Sequence, residues 1–126
     1  MAEVYAHADL TGKIIGALYQ VYNEMGFGYQ EKYYYRAIKN KLLELGFKVD
    51  EQLLASIVVA GKIIGRYYLD FLVDDVVVLE IKVADRVYPQ HVRQVIGYLK
   101  AKNLKVGLVG VFSPRGIIIR DVGETK

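Results

Sequence analysis

The sequence predicts a mixed α/β (α+β) fold, a central mixed sheet of about five strands flanked by helices in the order ααβββαββ. Three observations lead there. Apolar residues recur at helical spacing in two successive segments before Gly46. From Phe47 to about Lys82 they change to extended, strand-like runs. A further helical segment then separates two more strand-like runs, so the third and fourth strands are joined by a crossover and at least one pair is parallel. At 126 residues, 53% hydrophobic and 25% charged, the chain has the size of one domain, about 100–200 residues. Residues 1–126 are read as a single domain without linker, repeat or low-complexity stretch.

The elements follow in order. Leu10, Ile14, Leu18, Val21, Tyr22 and Met25 form the first helical stripe, with Asp9 as its N-cap and Gly26-Phe27-Gly28 as its stop. Tyr34, Ile38, Leu42 and Leu45 form the second, closed by Gly46. Residues 56–60 and 63–73 read as strands joined by Gly61-Lys62. Residues 76–82 make a third strand, whose run Val76-Val77-Val78-Leu79 is apolar on both faces, as in a strand covered on two sides. Pro89 opens a third helix at its first position, with Val92, Val95, Ile96, Leu99 and Tyr98 carrying it to about Lys102. Residues 106–112 and 117–122 are the last strands, around a Ser113-Pro114-Arg115-Gly116 turn.

Composition excludes several chemistries. Without cysteine there is no disulfide scaffold, thiolate zinc site or cysteine nucleophile, and two histidines, His7 and His91, cannot make a three-histidine metal site. The longest runs free of Asp, Glu, Lys and Arg are ten residues, 14–23 and 52–61, against the ~20 apolar residues of a spanning helix. The first nine residues show neither a basic nor an apolar leader region, so a cytoplasmic setting is expected, with no membrane association. The net charge of +3 is uneven: residues 82–120 hold eight Lys and Arg against Asp85 alone. A basic C-terminal part suits a polyanion such as nucleic acid, or is simply a basic surface. The eleven tyrosines are compatible with base stacking or with an oligomer interface.

The informative stretch is Asp70 inside an apolar strand, then Val78-Leu79-Glu80-Ile81-Lys82. Glu80 and Lys82 share one face of a strand. After four apolar residues that face is covered, and an ionised pair there needs partners, unless the strand simply leaves the core at Leu79. If the strands turn near Asp74-Asp75, Asp70 approaches Glu80. A two-residue turn pairs Asp70 with Leu79 and sets the carboxylates on opposite faces; a turn with an odd number of residues, centred on Asp75, or a bulge pairs Asp70 with Glu80 on one face. A metal site needs the second arrangement. Glu31, three residues before Tyr34, continues the apolar stripe and faces inward, or else is an exposed first-turn acid stabilised by the helix dipole. Three inward carboxylates without His or Cys favour Mg²⁺, with Mn²⁺ as substitute. Gln94 and Tyr98 share a face of the third helix, and Arg93, Lys100 and Lys102 could meet a phosphate backbone there.

In combination, Gly28-x-x-Glu31-x-x-Tyr34 between an amphipathic helix and the Asp70…Glu80-x-Lys82 strands resembles the GxxExxY family, a prokaryotic group of the PD-(D/E)XK nuclease superfamily. The resemblance runs from about Leu10 to Val122. It includes Leu10–Ala17, Tyr98–Ala101 and Leu104–Leu108, and it implies a restriction-endonuclease-like core. It implies that Asp70 and Glu80 are metal ligands with the Ile81 carbonyl as a third, and that Glu31 is a helix-borne ligand, direct or through water. Lys82 would orient the attacking hydroxide and offset transition-state charge, and Gln94 and Tyr98 would support the active-site face and DNA. His91 stands where the family often has histidine and receives no role. Leu69 replaces the proline of the superfamily's name, and Gly-Phe-Gly replaces Gly-Pro-Gly. The implied activity is metal-dependent hydrolysis of DNA with little base specificity; the alternatives are a non-catalytic nucleic-acid- or partner-binding module on the same fold, and structural ion pairs. A homodimer would supply recognition surface that a 14.3 kDa chain lacks.

Overall fold

The computed structural model describes residues 7–123, so the reading of the first nine residues falls mostly outside the described part. The elements come in the expected order: α1 (Ala8–Met25), α2 (Glu31–Glu44), β1 (Val49–Val59), β2 (Lys62–Val73), β3 (Val77–Val83), α3 (Pro89–Lys102), β4 (Val106–Ser113) and β5 (Gly116–Gly123). The sheet order is β1-β2-β3-β4-β5. β3 and β4 are parallel, joined by the α3 crossover, and the other neighbours are antiparallel.

The sheet carries a helix layer on each face. Ile14, Leu18 and Val21 of α1 and Tyr34, Ile38 and Leu42 of α2 pack on Phe71, Val73, Val77, Leu79, Ile81, Leu108 and Phe112. Val95, Tyr98 and Leu99 of α3 pack on Leu69, Val78, Val109, Val111 and Val122. Val77 and Leu79 thus enter one cluster and Val78 the other, which is why the four-residue apolar run carries no polar alternation. No described helix is long and apolar enough to cross a membrane.

Three local expectations are corrected. α1 starts two residues earlier, with His7 at the N-cap and Asp9 in the first turn, where its charge meets the positive end of the helix. Leu45 is the C-cap of α2 and half exposed, not part of the buried stripe. The helix ends in a Schellman arrangement on Gly46 (φ 88°): the Gly46 N–H donates to the Leu43 carbonyl and the Phe47 N–H to the Leu42 carbonyl. β1 begins at Val49 rather than residue 56, and Ala60-Gly61, both with positive φ, make the hairpin turn in place of Gly61-Lys62.

α3 approaches the sheet closely at Gly107 of β4. A Cβ there would lie 2.6 Å from Val95 Cγ1 and 3.2 Å from the Val122 carbonyl oxygen. Gly107→Ala is expected to destabilise the protein by about 1–3 kcal/mol, read as a lower denaturation midpoint. Gly12→Ala, in α1 with nothing within 4 Å of the added Cβ, is expected to stabilise by up to ~1 kcal/mol.

The β1–β2 ladder runs from Val49↔Val73 to Val59↔Lys62, whereas the β2–β3 ladder stops after Phe71↔Leu79. Beyond that pair β2 and β3 part, and a gap opens in the sheet.

Candidate active site

The gap is set by the β2–β3 turn. Val73 pairs with Val77, leaving three loop residues, Asp74, Asp75 and Val76, the first two with φ of 53° and 59°. The odd loop puts Asp70 opposite Glu80, the arrangement a shared site requires, and excludes the two-residue alternative. Lys48 fixes the turn. Its backbone N–H donates to Asp74 Oδ1 (2.8 Å), its carbonyl accepts from the Asp74 N–H (2.8 Å), and its ammonium reaches Asp75 Oδ1 (3.0 Å).

At the gap, side chains replace the ladder. The Asp70 N–H donates to Glu80 Oε1 (2.9 Å), and the Ile81 N–H donates to Asp70 Oδ2 (2.7 Å). A strand residue presents its N–H and C=O to the same neighbour, so the Ile81 carbonyl also opens into the gap. β2 rotates here. Phe71 and Val73 enter the cluster under α1 and α2, yet Tyr67 and Leu69, of the same parity, enter the one under α3. β1 follows, with Val49 on the first side and Leu53 and Ala55 on the second. Gln52, with φ 53° and opposite Asp70 in the register, takes up the rotation.

Glu80 is 2% exposed, and Lys82 Nζ stands 3.3 Å from its Oε2. Burial pushes the Glu80 carboxyl well above the usual carboxylate range, and the charge of Asp70 pushes it further, against the pull of Lys82. Burial raises the Asp70 carboxyl too, with Glu31 adding to the rise and the Ile81 N–H opposing it. A buried and a half-buried carboxylate with raised proton affinity form a site that favours added positive charge, whether a proton or a metal ion.

Glu31 reaches this place from the first turn of α2, and the preceding loop explains how. Gly26 and Gly28 have φ of 71° and 123°. The hydroxyl of Tyr34, fully buried and stacked on Phe112 with centroids 4.2 Å apart, donates to the Gly26 carbonyl and accepts from the Tyr29 N–H. The glycines and Tyr34 together close the loop and aim the start of α2. Glu31 Oε1 then accepts from the Val83 N–H at 3.4 Å. Its side chain is exposed, so the inward-facing expectation is corrected: it stands at the rim because position 31 is the helix's first turn, beyond the packed stripe.

Glu31, Asp70, Glu80 and Lys82 line one open cavity of about 630 Å³ with Lys32, Tyr35, Arg36, Lys39, Glu51, Gln52 and Tyr68. Among the described residues no three His, Asp or Glu side chains gather closely enough to form a ready-made metal cluster. The tight element is the Asp70–Glu80 pair with the Ile81 backbone. That donor set is all oxygen, and it fits Mg²⁺ or Mn²⁺, which bind through one or two carboxylates and keep several waters.

Four expected residues lie elsewhere. Tyr98 is buried in the apolar cluster under α3 and lines a separate cleft with Leu54, Tyr67 and Gly97. Gln94 offers its backbone carbonyl to the Tyr67 hydroxyl (2.9 Å). Arg93 and Lys100 are exposed on α3. None of the four lines the cavity with the carboxylates. His91 has a buried Nδ1 without a partner among the described residues, and burial lowers its proton affinity, as does the charge of Lys82, against the pull of Glu31.

Sequence reasoning overlooked the opposite wall. Tyr35 stacks on Phe71 (4.5 Å), donates to Glu51 Oε1 (2.8 Å) and accepts from Gln52 Nε2 (3.2 Å). Burial pushes its phenol up to about 12. Lys39 pairs with Glu51 at 2.8 Å and holds that carboxyl below the usual range. The signal was present: 32, 35, 36 and 39 recur at helical spacing beside the buried 34, 38, 42 stripe.

Residues 8–120 match the PD-(D/E)XK nuclease superfamily. No curated protein matches the chain. Among solved structures, the crystal structure of SSO0001 superimposes with a TM-score of 0.49 at 21% identity, over 75% of this chain and 56% of that one. The present chain thus spans little more than half of the other's length. The five-strand mixed sheet with helices on both faces is consistent with the restriction-endonuclease-like fold of the superfamily.

Proposed function

Since the chain belongs to the PD-(D/E)XK nuclease superfamily, we propose that it is a divalent-metal-dependent deoxyribonuclease, largely indifferent to sequence, acting through Asp70, Glu80, Ile81, Lys82 and Glu31. The observation that carries this reading is the exchange at the gap, where a buried and a half-buried carboxylate face each other and an ammonium stands 3.3 Å from the buried one. A purely structural ion pair would match one acid with one base; here acids outnumber the amine. Gly28, Glu31 and Tyr34 support placing the chain in the GxxExxY group, because loop closure by Tyr34 is what brings Glu31 to the cavity.

Asp70, Glu80 and the Ile81 carbonyl would hold Mg²⁺ or Mn²⁺, with Glu31 at the rim as a direct or water-mediated partner. When bound, the ion supplies Lewis acidity and neutralises phosphoryl charge. Lys82 donates hydrogen bonds to the attacking water and to a phosphoryl oxygen, and Glu80 fixes the position of its ammonium. No histidine base is needed. Phosphate contacts along the cavity would hold the substrate without reading bases.

The test is nicking and degradation of plasmid and linear DNA. Activity with Mg²⁺ or Mn²⁺ is expected, abolished by EDTA and lowered about 10²–10³-fold in Lys82→Ala. Cleavage that survives both controls would contradict the reading.

A further inference from the structure

We propose that the exposed face at the start of α2 is a track for unpaired DNA, with Lys32 and Arg36 gripping phosphates and Tyr33, Tyr29 and Tyr68 stacking bases. This rests on the nuclease reading and names an unpaired strand as the form of DNA that the site holds best.

Lys32 and Arg36 line the cavity that holds the carboxylates. Lys39, on the same wall, is bound to Glu51, whereas no carboxylate of the described residues pairs with Lys32 or Arg36. Their cationic heads lie over the Tyr33 ring instead, 5.3 Å and 5.6 Å from its centroid. Tyr29 meets Tyr33 edge to face at 6.5 Å, and the two rings are 50% and 42% exposed. Tyr68 of β2, which also lines the cavity, is 58% exposed. Exposed rings thus stand beside the cationic pair on α2 and on the β2 wall of the cavity that holds the acid pair.

Cations that track a backbone, interleaved with rings that take base faces, are the features of single-strand binding. A duplex could meet Lys32 and Arg36, but its bases are stacked on one another and offer no free faces to Tyr33 or Tyr68.

Fluorescence anisotropy in EDTA separates binding from hydrolysis, with an oligodeoxythymidine of about twenty nucleotides and a duplex of equal length as probes. The wild type is expected to bind the single strand at least about tenfold more tightly. Tyr33→Ala should weaken single-strand binding about tenfold and leave duplex binding unchanged, and Tyr33→Phe should restore it. Lys32→Ala/Arg36→Ala should lower the slope of log affinity against log salt by about 1.4, some 0.7 per phosphate contact. Arg93→Ala/Lys100→Ala is the competing arm and should move that slope less. Equal affinity for duplex and single strand, an unchanged slope in the α2 variant, or a larger change in the α3 variant would overturn the proposal. Binding as expected by a protein that cleaves nothing with Mg²⁺ or Mn²⁺ would sink the nuclease and leave the track; Lys82-dependent cleavage with binding indifferent to Lys32, Arg36 and Tyr33 would do the reverse.

Discussion

Asp70→Asn is expected to lose cleavage by a factor of at least ~10³ and, in the same protein, to raise the denaturation midpoint of the metal-free form at pH 8. The two effects share one cause. The Asn amide oxygen can still accept from the Ile81 N–H, so the 2.7 Å contact at the gap survives. The substitution removes the half-buried charge that opposes ionisation of the buried Glu80. Burial raises the Asp70 carboxyl, with Glu31 adding to it, and burial together with the Asp70 charge raises Glu80. Each unit of pKa is about 1.4 kcal/mol, so the gain at pH 8 is on the order of 1–3 kcal/mol, several degrees in a chain of this size. A wild type that melts above Asp70→Asn at pH 8 in EDTA would contradict the repulsive pair.

The sign of the pH dependence follows. A carboxyl whose folded pKa is raised keeps a proton that the unfolded chain releases. Its contribution to stability is complete below the unfolded value near 4 and is lost as pH rises through the folded values. That window runs from about 4 to about 8, its upper edge set by Glu80. His91 works in the opposite sense, because burial lowers its pKa, and stability from it falls as pH drops below about 6.5. The difference between the wild-type and Asp70→Asn curves therefore isolates the pair, and it should grow from pH 5 to pH 8.

Mn²⁺ or Mg²⁺ is expected to reverse that loss. A ligand at a hundredfold its Kd stabilises by about 2.7 kcal/mol. Because protons compete for the same oxygens, the rise in midpoint should be large at pH 8, small at pH 5 and absent in Asp70→Asn/Glu80→Gln. Glu31→Gln should retain part of it, since Glu31 reaches the cavity from the exposed rim. An equal rise in the double variant would place the ion elsewhere.

Much of this could be read from the sequence because it depends on periodicity. The run at Val76–Leu79 announced a strand covered twice; the spacing of Asp70 and Glu80 left the turn open, a shared face required an odd turn or a bulge, and the three-residue loop supplies the odd turn. The rotation of β1 and β2 at Gln52 and Asp70 could not be read, since Gln52 carries no local sign of its positive φ and the rotation arises where β3 leaves the ladder. Glu51 and Gln52 lie before the strand expected at residues 56–60, and only the placement of α2 brings Tyr35 and Lys39 against them. Tyr98 misled for the reverse reason: spacing put it beside Gln94, but its ring fills the apolar layer under α3. Spacing assigns a residue to a face, while the angle between elements decides which cavity that face meets.

The most direct test of the acid pair as a metal site is anomalous diffraction from crystals soaked in Mn²⁺ at pH 8. A peak within coordinating distance of the Asp70 and Glu80 carboxylates and the Ile81 carbonyl, lost in Asp70→Asn/Glu80→Gln, is the expected result. A peak elsewhere, or none at a saturating concentration, would contradict it.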